Sequence, residues 1–259
     1  MPELPEVETL IRQLRNVITT ERIRAVRIYD EKLKYLPEVI GRRVRAVRRA
    51  GKGVEIDLGG PVIHIHLRMS GRLYWRPAGD IIPSHARFSI FFDTGEILCI
   101  DPRRFATLTL YCGPAALRNR SVNLLAGMNV PEICARAGDR RLPVKAFLLD
   151  QQVMPGMGNI YACEILFAAA VSPWRRTGDV TAVEWGRIAA AAGSILKEAV
   201  FCRGTSISDW RDLFGRPGEY QRRLKVYDRE GKICFRCPAR IERRKLSGRG
   251  TYYCPGCQK

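Results

Sequence analysis

The sequence predicts an α+β protein with two domains, and three observations carry that prediction. In short segments between residues 54 and 93, apolar residues alternate with polar ones, as in half-buried strands. Beyond residue 143 the apolar residues recur at the spacing of helices. The chain closes with two C-x2-C pairs, a spacing typical of a zinc site.

The N-terminal half is predicted to join one helix to an antiparallel β-sandwich. Pro5 suits the first turn of a helix, and apolar residues follow it at helical spacing as far as Leu14. The segments 54–58, 63–67 and 88–92 then alternate with a period of two. No strand–helix–strand rhythm is visible, so a sandwich is favoured over a parallel sheet.

The C-terminal half is predicted to be helical before it reaches the cysteines. Residues 112–142 carry a weak pattern and are interpreted as a linker or domain boundary. From residue 143 three apolar stripes predict an all-α module of about four helices. Residues 203–223 are rich in Gly, Ser and Arg and predict a mobile loop.

The charge of the chain points to a polyanionic partner. Its 259 residues hold 44 Lys and Arg against 26 Asp and Glu, which gives a net charge of +18 and a pI near 10.0. From residue 201 onward, fifteen basic and six acidic residues leave +9. Nucleic acid and an anionic membrane surface both fit such a charge. No apolar stretch is long enough for a membrane helix, and no export signal is evident, so we expect a cytoplasmic protein without membrane contact.

The four C-terminal cysteines predict one structural Zn²⁺. Cys234 and Cys237 form one pair, Cys254 and Cys257 form the other, and each pair can direct two thiolates at one ion. Four thiolates leave no open position for water, so the metal would be structural. The alternative is two local thiol pairs. The remaining cysteines are interpreted as buried thiols: Cys99, Cys112, Cys134, Cys163 and Cys202.

The N-terminus offers an unusual nucleophile. Removal of Met1 would leave Pro2 as a free secondary amine, and α-amino groups have a pKa near ~8. Such an amine condenses with an aldehyde-level carbon to give an iminium ion. Glu3 and Glu6 lie close enough in sequence to act as general acids. The alternative is an ordinary helix start, because Pro5 and its acidic neighbours are common there.

Seven collinear motifs make the whole chain resemble the formamidopyrimidine-DNA glycosylases, which are bacterial base-excision repair enzymes. These motifs are MPELPEVE at 1–8, GK at 51–52, HLRMSG at 66–71, DPRRF at 101–105, PGMGNIYACE at 155–164, VYDREGKIC at 226–234 and GRGTYYCPGCQK at 248–259. The chain departs from the family at Arg68, where glycine is usual, and its residues 203–220 are only loosely similar.

The resemblance implies an N-terminal β-sandwich with flanking helices over residues 1–122. It implies a helix–two-turn–helix domain over 136–224 and a zinc-finger hairpin over 225–259. The implied activity excises oxidised purines, such as 8-oxoguanine and formamidopyrimidines, from duplex DNA after flipping the damaged base. Strand cleavage by an AP-lyase step would follow. The implied partner is double-stranded DNA with oxidised or abasic sites, bound by a nucleoid-associated monomer.

The resemblance assigns the catalytic roles residue by residue. Pro2 matches the nucleophile that attacks C1′, and Glu3 matches the acid that protonates the opening sugar. Lys52 matches the lysine of β-elimination, and Arg249 matches the zinc-finger arginine that holds phosphate and supports δ-elimination. Glu6 matches a supporting acid.

The DNA contacts are assigned in the same way. His66 and Asn159 match phosphate-contacting positions, and the turn before Asn159 would place it at or near a helix N-cap. His85 and Arg140 align with further DNA contacts. The three side chains that fill the space of a flipped base are matched by Met69, Arg103 and Phe105.

Two other functions stay open at this point. The Met and Arg-x-Phe pattern favours the formamidopyrimidine branch over an endonuclease VIII-like glycosylase that acts on oxidised pyrimidines. A non-catalytic, zinc-dependent protein that binds damaged DNA is the alternative from another class.

Overall fold

A computed structural model describes residues 1–79, 81–111 and 123–259, and the chain divides into two compact units. The first comprises residues 1–120 with 202–219, and the second comprises 121–201 with 220–259. The grouping places residues 202–219 with the first unit, whereas the sequence placed them in the helical domain. In the described ranges, no helix is both long enough and apolar enough to cross a membrane.

The first unit is a β-sandwich with one long helix. Helix α1 spans Leu4–Ile18. Eight strands follow in the described part: β1 Ala25–Ile28, β2 Ala46–Ala50, β3 Gly53–Asp57, β4 Val62–His66, β5 Arg72–Arg76, β6 Ala86–Phe91, β7 Glu96–Ile100 and β8 Thr107–Tyr111. One antiparallel sheet has the order β1-β6-β7-β5 and the other has β2-β3-β4-β8.

The period-two residues of these strands form the interior of the sandwich. Ile56, Ile63 and Ile65 come from one sheet, and Phe88 and Ile90 from the other; all five are fully buried in one cluster. The buried stripe of α1 belongs to the same cluster. Burial of these side chains is the main stabilising contribution, at roughly 1.5–3 kcal/mol for each large one. The predicted strands and fold class are therefore confirmed.

Residues 202–219 pack against the first unit, within the stretch 203–223 that the sequence interprets as a mobile loop. Trp210 and Leu213 lie in the hydrophobic core of the sandwich. Gln13 of α1 binds two consecutive residues of this segment: its Nε2 donates to Asp212 Oδ2 at 2.8 Å and its Oε1 accepts from Leu213 N at 2.9 Å. The sequence did not indicate that Trp210 and Leu213 are core residues, because the residues around them are rich in Gly and Arg.

The second unit contains four α-helices in its described residues; three of them lie beyond residue 143, where the sequence predicts about four. They are α2 Val130–Ala137, α3 Val144–Leu149, α4 Asn159–Ala168 and α5 Ala182–Phe201. Residues 112–142, interpreted from the sequence as a linker or domain boundary, do include the division between the two units at residue 120, but they also contain helix α2. Its N-cap Asn129 accepts a hydrogen bond from Glu132 N at 3.3 Å, and Gly138 ends it with φ of 45°.

The C-terminal hairpin consists of β9 Glu242–Leu246 and β10 Arg249–Tyr253. Cys163 and Phe167 of α4 pack in one buried cluster with Val226 and Ile241, which flank the cysteine pairs. At the start of this segment the buried Glu164 carboxylate accepts backbone N–H groups of residues 225–227 at 2.8–2.9 Å. These contacts fix the hairpin to the helices of its own unit.

Candidate active site and nucleic-acid contacts

Pro2 and Glu3 lie at the start of α1, and both are buried. Glu3 is the N-cap, and its backbone N–H donates to Glu6 Oε2 at 2.8 Å. With Met1 attached, the Pro2 nitrogen is an amide and has no nucleophilic electron pair. Met1 itself is exposed.

Glu6 joins the helix start to the segment that begins at Cys202. Its Oε1 accepts from Thr205 N at 2.7 Å, and Glu6 is almost fully buried. Gly204 has a φ of 81°, and a Cβ there would lie 2.5 Å from Glu6 Oε1. Only glycine allows this approach without strain. Glu6 is thus positioned to hold Glu3 and the 202–219 segment together.

Lys52 occupies the turn between β2 and β3 and is largely buried. The turn depends on Gly51, whose φ is 59°. Arg49 supports it, because its Nη1 donates to Gly51 O at 3.2 Å while its Nε donates to Glu8 Oε2 on α1 at 3.3 Å. The helix that carries Pro2 and the turn that carries Lys52 are therefore joined through one arginine.

His66 ends β4 opposite Gly53, next to the Lys52 turn. Its Nδ1 accepts from Arg68 N at 3.0 Å, which leaves Nε2 as the nitrogen that carries hydrogen in the neutral ring. Burial lowers the pKa of His66 to about 4, and the positive charges of Arg68 and Lys52 add to the effect. His66 is therefore a neutral hydrogen-bond donor at pH 7.

Arg68 has a left-handed backbone, with φ of 55°. This is the position where the resemblance expects glycine, and the structure shows why: an L side chain is strained there. The backbone conformation is kept although the side chain has changed.

Met69, Arg103 and Phe105 are all exposed, which is unusual for two large apolar side chains. Met69 is 53% exposed and Phe105 is 47% exposed. The Arg103 guanidinium carbon lies 4.7 Å above the Phe105 ring centre. The structure thus presents an apolar side chain and a stacked Arg–Phe pair to solvent.

Asp101 connects the two turns that carry these side chains, and sequence reasoning did not single it out. Its Oδ1 accepts from Ser70 Oγ at 2.5 Å and from Arg103 N at 3.1 Å. Its Oδ2 accepts from the backbone nitrogens of Phe105 and Ala106, both at 2.7 Å. Burial opposes its ionisation, but these hydrogen bonds prevail and lower the pKa of Asp101.

His85 and Arg140, the two further predicted DNA contacts, are exposed. His85 has φ of 63°, and its carbonyl accepts from Asp101 N at 2.9 Å. Arg140 lies over the Phe147 ring at 5.6 Å in the second unit. Both side chains are accessible to a ligand.

Asn159 is the first residue of α4, and its side chain is engaged inside the second unit. Its Oδ1 accepts from Lys145 Nζ at 2.6 Å, and its Nδ2 donates to Gly250 O at 2.9 Å. Lys145 is fully buried and also donates to Thr251 Oγ1 at 2.7 Å. The sequence reasoning missed Lys145, because its partners lie far away along the chain.

Arg249 is the first residue of β10 and is exposed beside the tip of the hairpin. The two turn residues, Ser247 and Gly248, have φ of 49° and 75°, as in the tight turns that match strand twist. No described residue forms a hydrogen bond or ion pair with the Arg249 guanidinium group. Gly250 places it directly beside the Asn159–Lys145 network.

The sulfur atoms of Cys234, Cys237, Cys254 and Cys257 lie within 4.8 Å of one another. Individual Sγ separations are 3.8 Å for 234–257, 3.4 Å for 237–254 and 3.5 Å for 237–257. Tetrahedral coordination at a Zn–S distance of 2.3 Å requires about 3.8 Å. The donor set and spacing therefore fit a tetrahedral metal ion.

The other cysteines divide by burial. Cys99, Cys163 and Cys202 are buried thiols, as expected. Cys134 is only half-buried, because it faces outward from the short helix α2. Cys112 lies outside the described residues.

Comparison with known proteins agrees with this arrangement over the full chain. Residues 1–108 match the formamidopyrimidine-DNA glycosylase N-terminal domain, and residues 123–210 match the formamidopyrimidine-DNA glycosylase H2TH domain. Formamidopyrimidine-DNA glycosylases of Desulfitobacterium hafniense and Heliobacterium modesticaldum are 35% and 38% identical, with each chain covered completely.

Solved structures agree as well. A Lactococcus lactis FPG mutant in complex with a Fapy-dG containing DNA matches with a TM-score of 0.90 at 27% identity, and both chains are covered completely. The Lactococcus lactis Fpg in complex with abasic-site DNA matches with a TM-score of 0.89 at 26% identity over 99% of each chain. The two-domain fold, the collinear motifs and these full-length relatives confirm the resemblance, and the chain belongs to the formamidopyrimidine-DNA glycosylase family of DNA repair enzymes.

Proposed function

We propose that this glycosylase excises oxidised purines, 8-oxoguanine and formamidopyrimidines, from duplex DNA through a Schiff base on Pro2 and then cleaves the strand by β,δ-elimination. The observation that carries the proposal is the helix start: a buried proline at position 2 lies directly before a buried N-cap glutamate. Removal of Met1 would place a secondary amine directly beside this glutamate, which is the arrangement that an amine nucleophile and a general acid require.

The first chemical step uses the Pro2 amine after Met1 is removed. Its nitrogen attacks C1′ of the flipped nucleotide, the glycosidic bond breaks, and the base leaves with its bonding electrons and a proton. Glu3 protonates O4′ as the sugar ring opens, which leaves an iminium ion between Pro2 and C1′. Glu6 supports the step by holding the Glu3 backbone and Thr205 in place.

The second step cleaves the strand. The iminium acidifies C2′–H, a base removes that proton, and the 3′-phosphate leaves by β-elimination. We assign Lys52 to this β-elimination, because its turn lies beside the neutral donor His66 and is joined to α1 through Arg49. Arg249 holds phosphate for the δ-elimination that follows, which its exposed guanidinium group permits.

DNA contacts divide between the two units. In the first, His66 contacts phosphate and His85 makes a further DNA contact, while Met69, Arg103 and Phe105 fill the space of the flipped base and contact its partner. In the second, the exposed Arg140 makes a further DNA contact, and Asn159 acts through the backbone at the start of α4 and through Gly250.

We propose that the four clustered cysteines hold one structural Zn²⁺. Cys234, Cys237, Cys254 and Cys257 would supply four thiolates, so the ion would stabilise the hairpin and offer no site for water. The chain would act as a cytoplasmic, nucleoid-associated monomer on double-stranded DNA. The domain limits 1–122, 136–224 and 225–259 stay a prediction, although α2 crosses residue 136 and residues 202–219 group with the first unit.

Single-turnover cleavage of a panel of duplexes tests the substrate assignment. We expect 8-oxoguanine and formamidopyrimidine duplexes to be cleaved faster than a thymine glycol duplex, and we expect 3′-phosphate ends, the product of β,δ-elimination. Glu3→Gln is the control for chemistry and should bind the same duplex without cleaving it.

Two alternatives are outcomes of the same panel. A solved Lactococcus lactis relative is in complex with an oxidized pyrimidine containing DNA, so a pyrimidine preference is a specific second candidate. Faster excision of thymine glycol would establish it. Binding of every lesion without cleavage of any would show a non-catalytic damage-binding protein and overturn the proposal.

A further inference from the structure

The exposed Met69, Arg103 and Phe105, which we call the wedge, are carried by two separate turns of the first unit. One turn follows β4 and runs from Leu67 to Gly71, where the Gly71 nitrogen donates to the Leu67 carbonyl at 3.0 Å. The other follows β7 and spans residues 101–106. Side chains on separate turns need a common anchor if they are to enter one base-sized space together.

We propose that Asp101 is that anchor, a positioning residue that sets the wedge for insertion beside a flipped base. Its carboxylate is fully buried and spans both turns. Ser70, the residue after Met69, donates to Oδ1 at 2.5 Å. The backbone nitrogens of Arg103 and Phe105 donate to the same carboxylate at 3.1 and 2.7 Å. This inference rests on the proposed function.

A second carboxylate holds the opposite side of the 101–106 turn. Arg104 has φ of 56°, so its side chain turns away from those of its two neighbours. Its Nε and Nη2 donate to the two oxygens of the buried Asp30, both at 2.6 Å. Arg87 also pairs with Asp30, and its Nη2 donates to Ala106 O at 3.0 Å. The turn is thus held from both sides, while Arg103 and Phe105 stay exposed and stacked.

This arrangement predicts a specific consequence. Four hydrogen bonds to one ionised, buried group fix the backbone of the wedge before DNA arrives, so insertion does not require the turns to be ordered. Loosening them should slow insertion and weaken the discrimination of the opposite base by Arg103. It should leave the reaction of Pro2 with an already accessible sugar unchanged.

Asp101→Asn tests the proposal, because the amide keeps the size of the side chain and removes its charge and one acceptor. Asp93→Asn is the matched control, since Asp93 lies in the same unit in an exposed pair with Arg24. Three quantities are measured: single-turnover cleavage of 8-oxoguanine opposite C and opposite A, the fluorescence rise of 2-aminopurine placed beside the lesion, and borohydride trapping on single-stranded abasic DNA.

We expect Asp101→Asn to slow duplex cleavage and the fluorescence rise by roughly tenfold or more, as small misplacements can. In Asp101→Asn the preference for 8-oxoguanine opposite C over A should fall, while borohydride trapping on single-stranded DNA should stay within about twofold of wild type. For Asp93→Asn, all three measured quantities should stay within about twofold of wild type. Ser70→Ala releases only the Met69 turn, keeps the carboxylate and should show a smaller slowing. If thermal unfolding shows that Asp101→Asn does not fold, the same measurements on Ser70→Ala test the proposal.

Duplex kinetics and base discrimination equal to wild type in a folded variant overturn the inference. Equal losses on duplex and single-stranded DNA overturn it as well, because they indicate general damage to the site. A wild-type protein that neither cleaves nor traps overturns the proposed function and, with it, this inference.

Discussion

At the residue scale, Arg68 is a strained position that the sequence alone could only mark as unusual. Its φ of 55° costs an L residue about 1 kcal/mol, and glycine avoids that cost at some loss of entropy. We predict that Arg68→Gly raises the free energy of unfolding by about 0.5–1 kcal/mol, measured by urea denaturation. Arg68→Ala removes the same charge but keeps Cβ, so it should give no comparable gain. Equal gains in both variants would attribute the effect to charge.

His66 gives the first unit a defined response to pH. The unfolded chain titrates this histidine near ~6.5, whereas burial together with Arg68, His64 and Lys52 lowers its pKa to about 4 in the folded protein. Between these values the unfolded chain binds more protons, so the free energy of unfolding falls as the pH drops from about 6.5 towards 4. Above about pH 6.5 this contribution is constant.

We therefore predict that His66→Gln reduces the loss of stability between pH 7 and pH 5, measured by urea denaturation at both values. His85→Gln, a change at an exposed histidine of the same unit, is the control. An identical pH dependence in wild type and His66→Gln would show that the lowered pKa of His66 does not govern stability in this range.

At the element scale, periodic patterns in the sequence predicted most helices and strands. The same patterns did not predict isolated tertiary contacts. The alternating segments became β3, β4 and β6, because a sandwich buries one face of each strand. Helix α2 was missed because it is only eight residues long, although Asn129 and Pro131 signal its start and Gly138 its end.

The candidate site shows the same division. Motifs carry Pro2, Lys52 and the cysteines, since these residues act through local turns or fixed spacing. Lys145 has no local signal, because its partners Asn159 and Thr251 lie 14 and 106 residues away. The role of Asp101 depends on a hydroxyl from another turn, 31 residues away. Long-range hydrogen bonds of this kind leave no period in a single sequence.

The cysteine hairpin should depend on its metal more than the sandwich does, because metal binding supplies much of the folding free energy of a small finger. We predict that removal of Zn²⁺ with a chelator lowers hydrogen-exchange protection in β9 and β10 and weakens DNA binding, while β3 to β7 stay protected. Cys257→Ser should act like the chelator, and Cys134→Ser, a change outside the cluster, should not. Unchanged DNA affinity after verified metal removal would contradict this.

At the scale of the whole molecule, the charge of +18 exceeds what a small set of phosphate contacts requires. Much of it would then act as a long-range field that speeds association with DNA. The slope of log K against log salt counts released counterions at about 0.9 for each phosphate contact. We predict a slope that corresponds to a handful of contacts, well below eighteen.

The salt dependence of DNA binding also shows whether a single arginine contacts a phosphate. Arg249→Ala should reduce the slope by about one. Arg24→Ala is the matched control, because Arg24 is exposed but paired with Asp93 at 2.6 Å, and it should leave the slope unchanged. A slope near that of all eighteen charges, or equal effects of the two variants, would contradict the division between contacts and field.

The central claim is that the Pro2 nitrogen forms the covalent intermediate, and borohydride trapping followed by peptide mass spectrometry tests it most directly. Protein verified free of Met1 is incubated with an 8-oxoguanine duplex, reduced and digested. We predict that the DNA adduct lies on the Pro2 nitrogen and that the same chain with Met1 retained gives none, since its Pro2 nitrogen is an amide. An adduct on Lys52 or another lysine with Pro2 unmodified, or equal trapping with Met1 in place, would contradict the account.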